Sequence, residues 1–340
     1  RTLDGRYAKP IQFDSVREAR KFVEQYKEVP NFEVHGYDRY LYQFISKEFP
    51  DDVDFDLKKM NIMSLDIEVQ CENGFPNVKE CAEEMLSITV QDYVTRKIKV
   101  FGTRPYKNSR DDVEYILCDG EEHLLRAFLD YWIQNFPDIL TGWNVELYDI
   151  PYICGRLERL FGTKEMKLMS PWNIVYDEEI EIKGRTNKVY NIYGINVMDY
   201  MDLYKKFTYT NQESYRLDHI AFVELGQRKL DHSEHENFKA FYTDDWQKFI
   251  DYNIIDTELV TRLEDKMKLI ELAVALAYDA KVNMRVLMSR NQLRDAMNGW
   301  LVLISIACIL TLLCNIIFPQ KPSLKRGIHP LQLIRSSDRR

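Results

Sequence analysis

"NIMSLDIEVQ", residues 61–70, decides how the chain is read. In an extended strand, residues i and i+2 project to the same side. Leu65, Ile67 and Val69 therefore predict a core-facing side, and Asp66 and Glu68 share the opposite one. Two carboxylates that close raise each other's pKa unless a cation lies between them. Oxygen-only ligands suit Mg²⁺ or Mn²⁺. Taken alone, a D-x-E tripeptide is common, and an edge strand with a solvated acidic face explains it more simply.

Working outward, "LSITVQDY" (86–93) and "RKIKVFG" (96–102) read as strands beside the first. "EEHLLRAFLDYWIQNF" (121–136) has the spacing of an amphipathic helix and leads into a strand, "DILTGWN" (138–144). "IPYICGRLERLFG" (150–162) predicts a helix and "NIYGINVMD" (191–199) a strand. Residues 244–281 predict one long helix or a helix pair. Three neighbouring strands followed by α/β alternation give an α/β fold with a mixed β-sheet flanked by helices over residues 59–290. Residues 1–58 read as a small α+β N-terminal segment, with "SVREARKFVEQYKEV" (15–29) helical and "YDRYLYQFI" (37–45) strand-like.

Residues 291–340 differ in character. Leu301–Phe318 is an uncharged apolar run at the lower length limit of a transmembrane helix, followed by a basic tail. A buried core helix, or a truncated or frame-shifted end, fits the run better than a membrane anchor. The first residue is Arg1, so the true start is expected upstream. Six scattered cysteines without a CxxC pair predict reduced thiols of an intracellular protein. A net charge of -8 offers no overall attraction for nucleic acid, which would need local basic patches or metal ions.

Further acids follow in order. Asp149 stands where "TGWN" hands over to a helix, a usual place for functional groups in α/β sheets, although an ordinary helix cap is the simpler reading. Asn144, five residues earlier, is placed to hydrogen-bond a carboxylate or substrate. In "YNIIDTELV" (252–260), Tyr252 and Asp256 are one helical turn apart on one face. A helix with a core-edge tyrosine and an exposed aspartate fits that pattern as well.

Together, D-x-E, the later aspartate and Y-x-x-x-D resemble the tyrosine branch of the DEDD exonucleases found in family B DNA polymerases. "LDIEV", "NGFP", "ILTGWNVELYDIPY", "DYMDLYKKFTYTNQESYRLDHI" and "DYNIID" are similar to the replicative polymerases of T-even-like bacteriophages, from near residue 1 to about 285. The resemblance implies an RNase H-like fold with a 3′→5′ proofreading site. Asp66, Glu68, Asp149 and Asp256 would hold two divalent metal ions, and Tyr252 would position the attacking water. No histidine precedes Asp256 in its segment, which sets the chain apart from the histidine-type branch. Phe75 would stack on a terminal base or anchor a turn, and Lys229 would lie near the exonuclease phosphate or simply face solvent.

"DLYKKFTYTNQESYRL" (202–217) interleaves basic and aromatic groups suited to a frayed single strand, with about half of the aromatics expected in the core. "EEIEIKGRTNKVYNIYG" (178–194) reads as a hairpin turning near Gly184 to Asn187, which related phage enzymes use to help part primer from template. The implied partners are the 3′ end of single-stranded DNA, primer-template DNA and, in a full-length enzyme, a sliding clamp and other replisome proteins. The implied location is the cytoplasm of the bacterial host, with no membrane role. The D-x-x-S-L-Y-P-S, N-S-x-Y-G and D-T-D-S stretches of a polymerase domain do not occur, so no primer extension is expected. A stand-alone DEDD nuclease and a catalytically dead DNA-binding fragment are the competing readings.

Overall fold

The computed structural model of the chain describes residues 6–9, 11–30, 32, 34, 44, 45, 47–51, 55–72, 74, 76–182, 184–231 and 233–284. Residues 1–293 make one compact unit; residues 294–340, with the apolar run, lie outside the described residues. No described helix is long and apolar enough to cross a membrane.

Helix α1 (Val16–Tyr26) starts where the sequence predicts, with the Ser15 hydroxyl accepting the Glu18 N–H at 3.2 Å. The strand-like reading of residues 37–45 falls almost wholly outside the described residues, and Phe44 and Ile45, which are described, are helical.

Next come β1 (Ile62–Val69), β2 (Met85–Asp92), β3 (Ile98–Gly102), β4 (Val113–Leu117), α2 (Gly120–Gln134), β5 (Ile139–Gly142), α3 (Asp149–Phe161) and the short α4 (Thr163–Met166). They are followed by β6 (Val175–Ile182), β7 (Arg185–Ile192), β8 (Asn196–Asp199), α5 (Tyr200–Phe207), α6 (Leu217–Leu225), α7 (Phe238–Asp244), α8 (Trp246–Met267) and α9 (Leu269–Ala280). Six strands form one sheet in the order β4-β3-β2-β1-β5-β8. β1, β2 and β3 run antiparallel to their neighbours in that run, whereas β3–β4, β1–β5 and β5–β8 are parallel. This mixed sheet flanked by helices is consistent with the RNase H-like architecture.

The pleat of β1 divides as expected. Met63, Leu65, Ile67 and Val69 are buried in a core with Leu125, Phe128 and Trp132 of α2 and Ile153 and Leu157 of α3. Each such fully buried side chain contributes about 1.5–3 kcal/mol. The Trp132 indole also donates to the Met169 carbonyl at 2.8 Å, so its polar edge is satisfied. Asp66 and Glu68 face α8 on the other side. There the interface is polar: Ser64 Oγ donates to the Thr257 carbonyl, and Thr261 Oγ1 donates to Gln91 Oε1.

Three local readings change. β4 was not expected. "NIYGINVMD" is the end of β7 and all of β8, separated by a turn at Gly194, whose φ of 94° explains the glycine. The β6–β7 hairpin already pairs Ile182 with Arg185, so residues 185–187, expected in the turn, belong to β7. The C-terminal helical stretch, expected as one long helix or a pair, is the pair, broken at Lys268, which takes a left-handed conformation with φ 57°.

Candidate nuclease site

The site begins with how β5 ends. Gly142 comes so close to β1 that a Cβ there would sit 2.5 Å from the Leu65 carbonyl oxygen, so the "TGWN" turn tolerates no side chain at this point. Beyond Gly142 the chain leaves the sheet, and β1 loses its parallel partner after Ser64. The exposed edge of β1 is covered by a side chain: Asp149, the first residue of α3, accepts the Ile67 N–H at 3.0 Å. The carboxylate thereby satisfies a strand donor that would otherwise be buried and unpaired.

The turn between them is also held by an acid. Asp199, at the end of β8, accepts the N–H groups of Asn144 (3.1 Å), Glu146 (3.1 Å) and Met201 (2.9 Å). Asn144 sits at φ 67°, a conformation asparagine tolerates better than most residues. Its side-chain amide makes no hydrogen bond to a carboxylate among the described residues. Burial, reinforced by Asp202, pushes the Asp199 carboxyl up to about 7. A raised folded-state pKa supports stability below the unfolded value near 4, and that support is lost as pH rises to about 7. The stability advantage of wild type over Asp199→Asn should therefore shrink across pH 4–7 by up to about 1.4 kcal/mol per unit. Thermal melts of the two proteins across that range check it; a gap that stays constant or widens contradicts the assignment.

Asp66 and Glu68 of β1 meet Asp256 of α8. One carboxylate oxygen from each lies within 4.8 Å of the others, and all three residues are at least partly buried. Burial pushes the Asp66 carboxyl up to about 7, Asp256 adds to the rise, and Lys229 and the Asn253 amide oppose it. Glu68 is raised well above its ordinary value by burial, then by Asp66 and Asp256. Asp149 is raised by burial and by Asp66, so it belongs to the same electrostatic neighbourhood although it stands outside the closest trio.

The charge is partly answered from a loop. Lys229 Nζ donates to Asp256 Oδ2 and to the Tyr252 hydroxyl at 3.2 Å. Burial disfavours the ammonium, but Asp256, Tyr252 and Asp66 outweigh it and hold Lys229 charged. Arg228 and the Lys229 N–H both bind Asp218, at 2.9 and 3.0 Å, which anchors the loop carrying the lysine. Asp256 Oδ1 remains buried without a hydrogen-bond partner among the described residues. An unpaired buried carboxylate oxygen beside two further carboxylates is a donor set that suits hard divalent cations. Phe75 lies outside the described residues.

One functional residue was missed by reading the sequence. Asn253, fully buried in α8, accepts from Ser87 Oγ at 3.0 Å and from Thr89 Oγ1, and its Nδ2 donates to Asp66 Oδ2. The two hydroxyls fix which end of the amide faces the acid, and so orient Asp66. Its trace in the sequence is a polar stripe, Asn253, Thr257 and Thr261, at helical spacing in a helix otherwise rich in apolar residues. Truncating a residue that orients a metal-binding carboxylate typically costs about 10–100-fold in metal affinity. Asn253→Ala is expected to weaken Mn²⁺ binding by that amount, as titration calorimetry would show; unchanged affinity contradicts it.

The aromatic segment sorts as anticipated only in part. Tyr204 is fully buried, Phe207 and Tyr215 pack against the core, and Tyr209 is 86% exposed.

Residues 16–220 match the model of DNA polymerase family B, exonuclease domain. The chain is 30% identical over 318 residues to the DNA-directed DNA polymerase of Escherichia phage RB69, covering 85% of this chain and 35% of that protein. It is 28% identical over 317 residues to the enzyme of Enterobacteria phage T4, covering 86% and 35%. Over 186 residues it is 28% identical to the DNA polymerase delta catalytic subunit of Caenorhabditis elegans, covering 52% and 17%. The chain thus spans about a third of the length of the phage relatives. With a matching domain model over more than half of its residues, the chain belongs to the family B DNA polymerases, by their exonuclease domain.

Proposed function

We propose that residues 59–290 are a 3′→5′ exonuclease domain that hydrolyses the terminal phosphodiester of single-stranded DNA, within a longer replicative polymerase. The observation that carries this reading is the buried convergence of Asp66, Glu68 and Asp256, beside Asp149, in a chain of this family.

Asp66, Glu68, Asp149 and Asp256 would hold two Mg²⁺ or Mn²⁺ ions. Such ions supply a water acidic enough to attack near neutral pH and stabilise charge on the departing 3′ oxygen. The chain's own part is positional. The Asn253 amide fixes Asp66, the strand N–H of Ile67 fixes Asp149, and Lys229 holds Asp256 and Tyr252 together. Burial keeps the Tyr252 hydroxyl protonated far above neutral pH, with Asp256 adding to the effect. It can therefore donate to a water or a phosphate oxygen without losing its proton.

Residues 1–58 would belong to the polymerase N-terminal domain and residues 291–340 to an atypical tail. Primer-template DNA, a sliding clamp and action in the bacterial host cytoplasm belong to the longer enzyme. A 5′-labelled oligonucleotide shortened stepwise from its 3′ end with Mg²⁺, and left intact in EDTA, supports the exonuclease. Preferential RNA degradation would favour a stand-alone nuclease, and no cleavage with any divalent metal would favour a dead DNA-binding fragment.

A further inference from the structure

A cleft of about 330 Å³ opens beside the acids, and its lining includes Asp66, Trp143, Arg216, Asp218, Lys229 and Tyr252. A polyanion entering it meets a chain with net charge -8 and two acids, Asp66 and Asp218, on the cleft wall. Most of the cations nearby are already engaged. Lys229 is bound to Asp256, and Arg228 to Asp218. Lys205 pairs with Asp202 and lies over the Tyr215 ring. Arg216 differs: among the described residues no carboxylate pairs with its guanidinium, and the side chain is exposed at the mouth of the cleft.

Its backbone position is fixed, which makes the placement meaningful. Arg216 is the N-cap of α6, the next residue, Leu217, is buried, and the Trp143 indole donates to the Tyr215 carbonyl at 3.0 Å. The exposed Arg216 side chain thus starts from a fixed backbone on the cleft lining, whereas Asp66, Lys229 and Tyr252 on the same lining are half-buried. A planar fork of N–H donors suits a phosphate oxygen pair.

We propose that Arg216 binds a backbone phosphate of the single strand on the 5′ side of the scissile one, and so holds the strand in register. The inference rests on the exonuclease reading of the same site. The scissile phosphate must reach the carboxylates, so a group at the mouth meets the next linkage along the strand. Phosphate contact carries no sequence information, so the subsite takes any base.

The test is equilibrium binding of 5′-fluorescein-labelled tetrathymidylate to the full chain, followed by anisotropy with Ca²⁺ across a salt series. Arg216→Ala should weaken binding about tenfold and make the slope of log K against log salt shallower by about 0.7, the value for one phosphate on a single strand. Arg216→Lys should restore the salt slope, because the charge is kept, but only part of the affinity, because the planar fork is lost. Equal affinity and slope for Arg216→Ala and wild type, or no binding by wild type, overturns the subsite. Cleavage of the same oligonucleotide with Mg²⁺ is read separately. Arg216-dependent binding without cleavage would keep the subsite and remove the exonuclease reading.

Discussion

Asp66→Ala should reduce 3′→5′ degradation of a 5′-labelled single-stranded oligonucleotide by about a thousandfold, equivalent to about 4 kcal/mol of transition-state stabilisation. Asp66 is the acid through which the cluster communicates. It lies within 4.8 Å of Glu68 and Asp256, and it is the leading charged neighbour acting on both Glu68 and Asp149. Removing it deletes one of the carboxylates proposed to hold metal and frees the Asn253 amide that had oriented it. The fold should survive, because the opposite side of β1 carries the apolar packing through Leu65, Ile67 and Val69. Gel analysis at saturating Mg²⁺, with circular dichroism as the check on folding, decides it. A folded variant retaining a tenth or more of wild-type activity contradicts the assignment.

The second large effect concerns stability and runs through Lys229. This ammonium is the cation that answers the buried acid, bound to Asp256 and lying beside Tyr252. Removing one member of a buried pair usually costs about 3–5 kcal/mol. Lys229 is 23% exposed, so about 2 kcal/mol is a better figure for Lys229→Met, a fall of about 4–6 °C in Tm. A dication bound at the acids should take over that role. At about 100 times its Kd it adds about 2.7 kcal/mol to either protein, and more to the one whose carboxylates lack a partner. Differential scanning calorimetry in EDTA and in excess Mn²⁺ should show a wide gap between variant and wild type in the first and a narrow one in the second. Equal Tm values in EDTA, or a gap that Mn²⁺ leaves untouched, contradicts it.

Much of this was written in the local pattern. Alternation in "LDIEV" separated the packed side of β1 from its acidic side, because a two-residue period leaves a strand no other choice. Helical spacing likewise gave α2, α3 and α8, whose apolar faces bury large side chains. β4 escaped because it is short, buries only Val113 fully, and is set behind a polar stretch, "NSRDD", that reads as loop. The break at Lys268 escaped because lysine carries no turn preference. The conformation follows instead from Glu264, whose carboxylate accepts the N–H groups of Ile270 (2.9 Å) and Glu271 (3.2 Å) at the start of α9.

The site divides in the same way. The acids were visible because carboxylates on a core strand demand an explanation. The groups that position them were not, because Asn253 and Asp199 are ordinary polar residues until the fold gives them partners more than fifty residues away, and Asp218 until a loop folds back on it from ten or eleven residues on. Asp149 falls between the two: its place in the chain order was legible, whereas its hydrogen bond to the β1 backbone depends on where β5 ends.

All of these expectations depend on divalent ions being held between β1 and α8. Anomalous diffraction from crystals soaked in Mn²⁺ tests that most directly. The account predicts density bounded by the carboxylates of Asp66, Glu68 and Asp256, with Asp256 Oδ1 among the ligands. Manganese bound only elsewhere, or no peak there at saturating Mn²⁺, would contradict it.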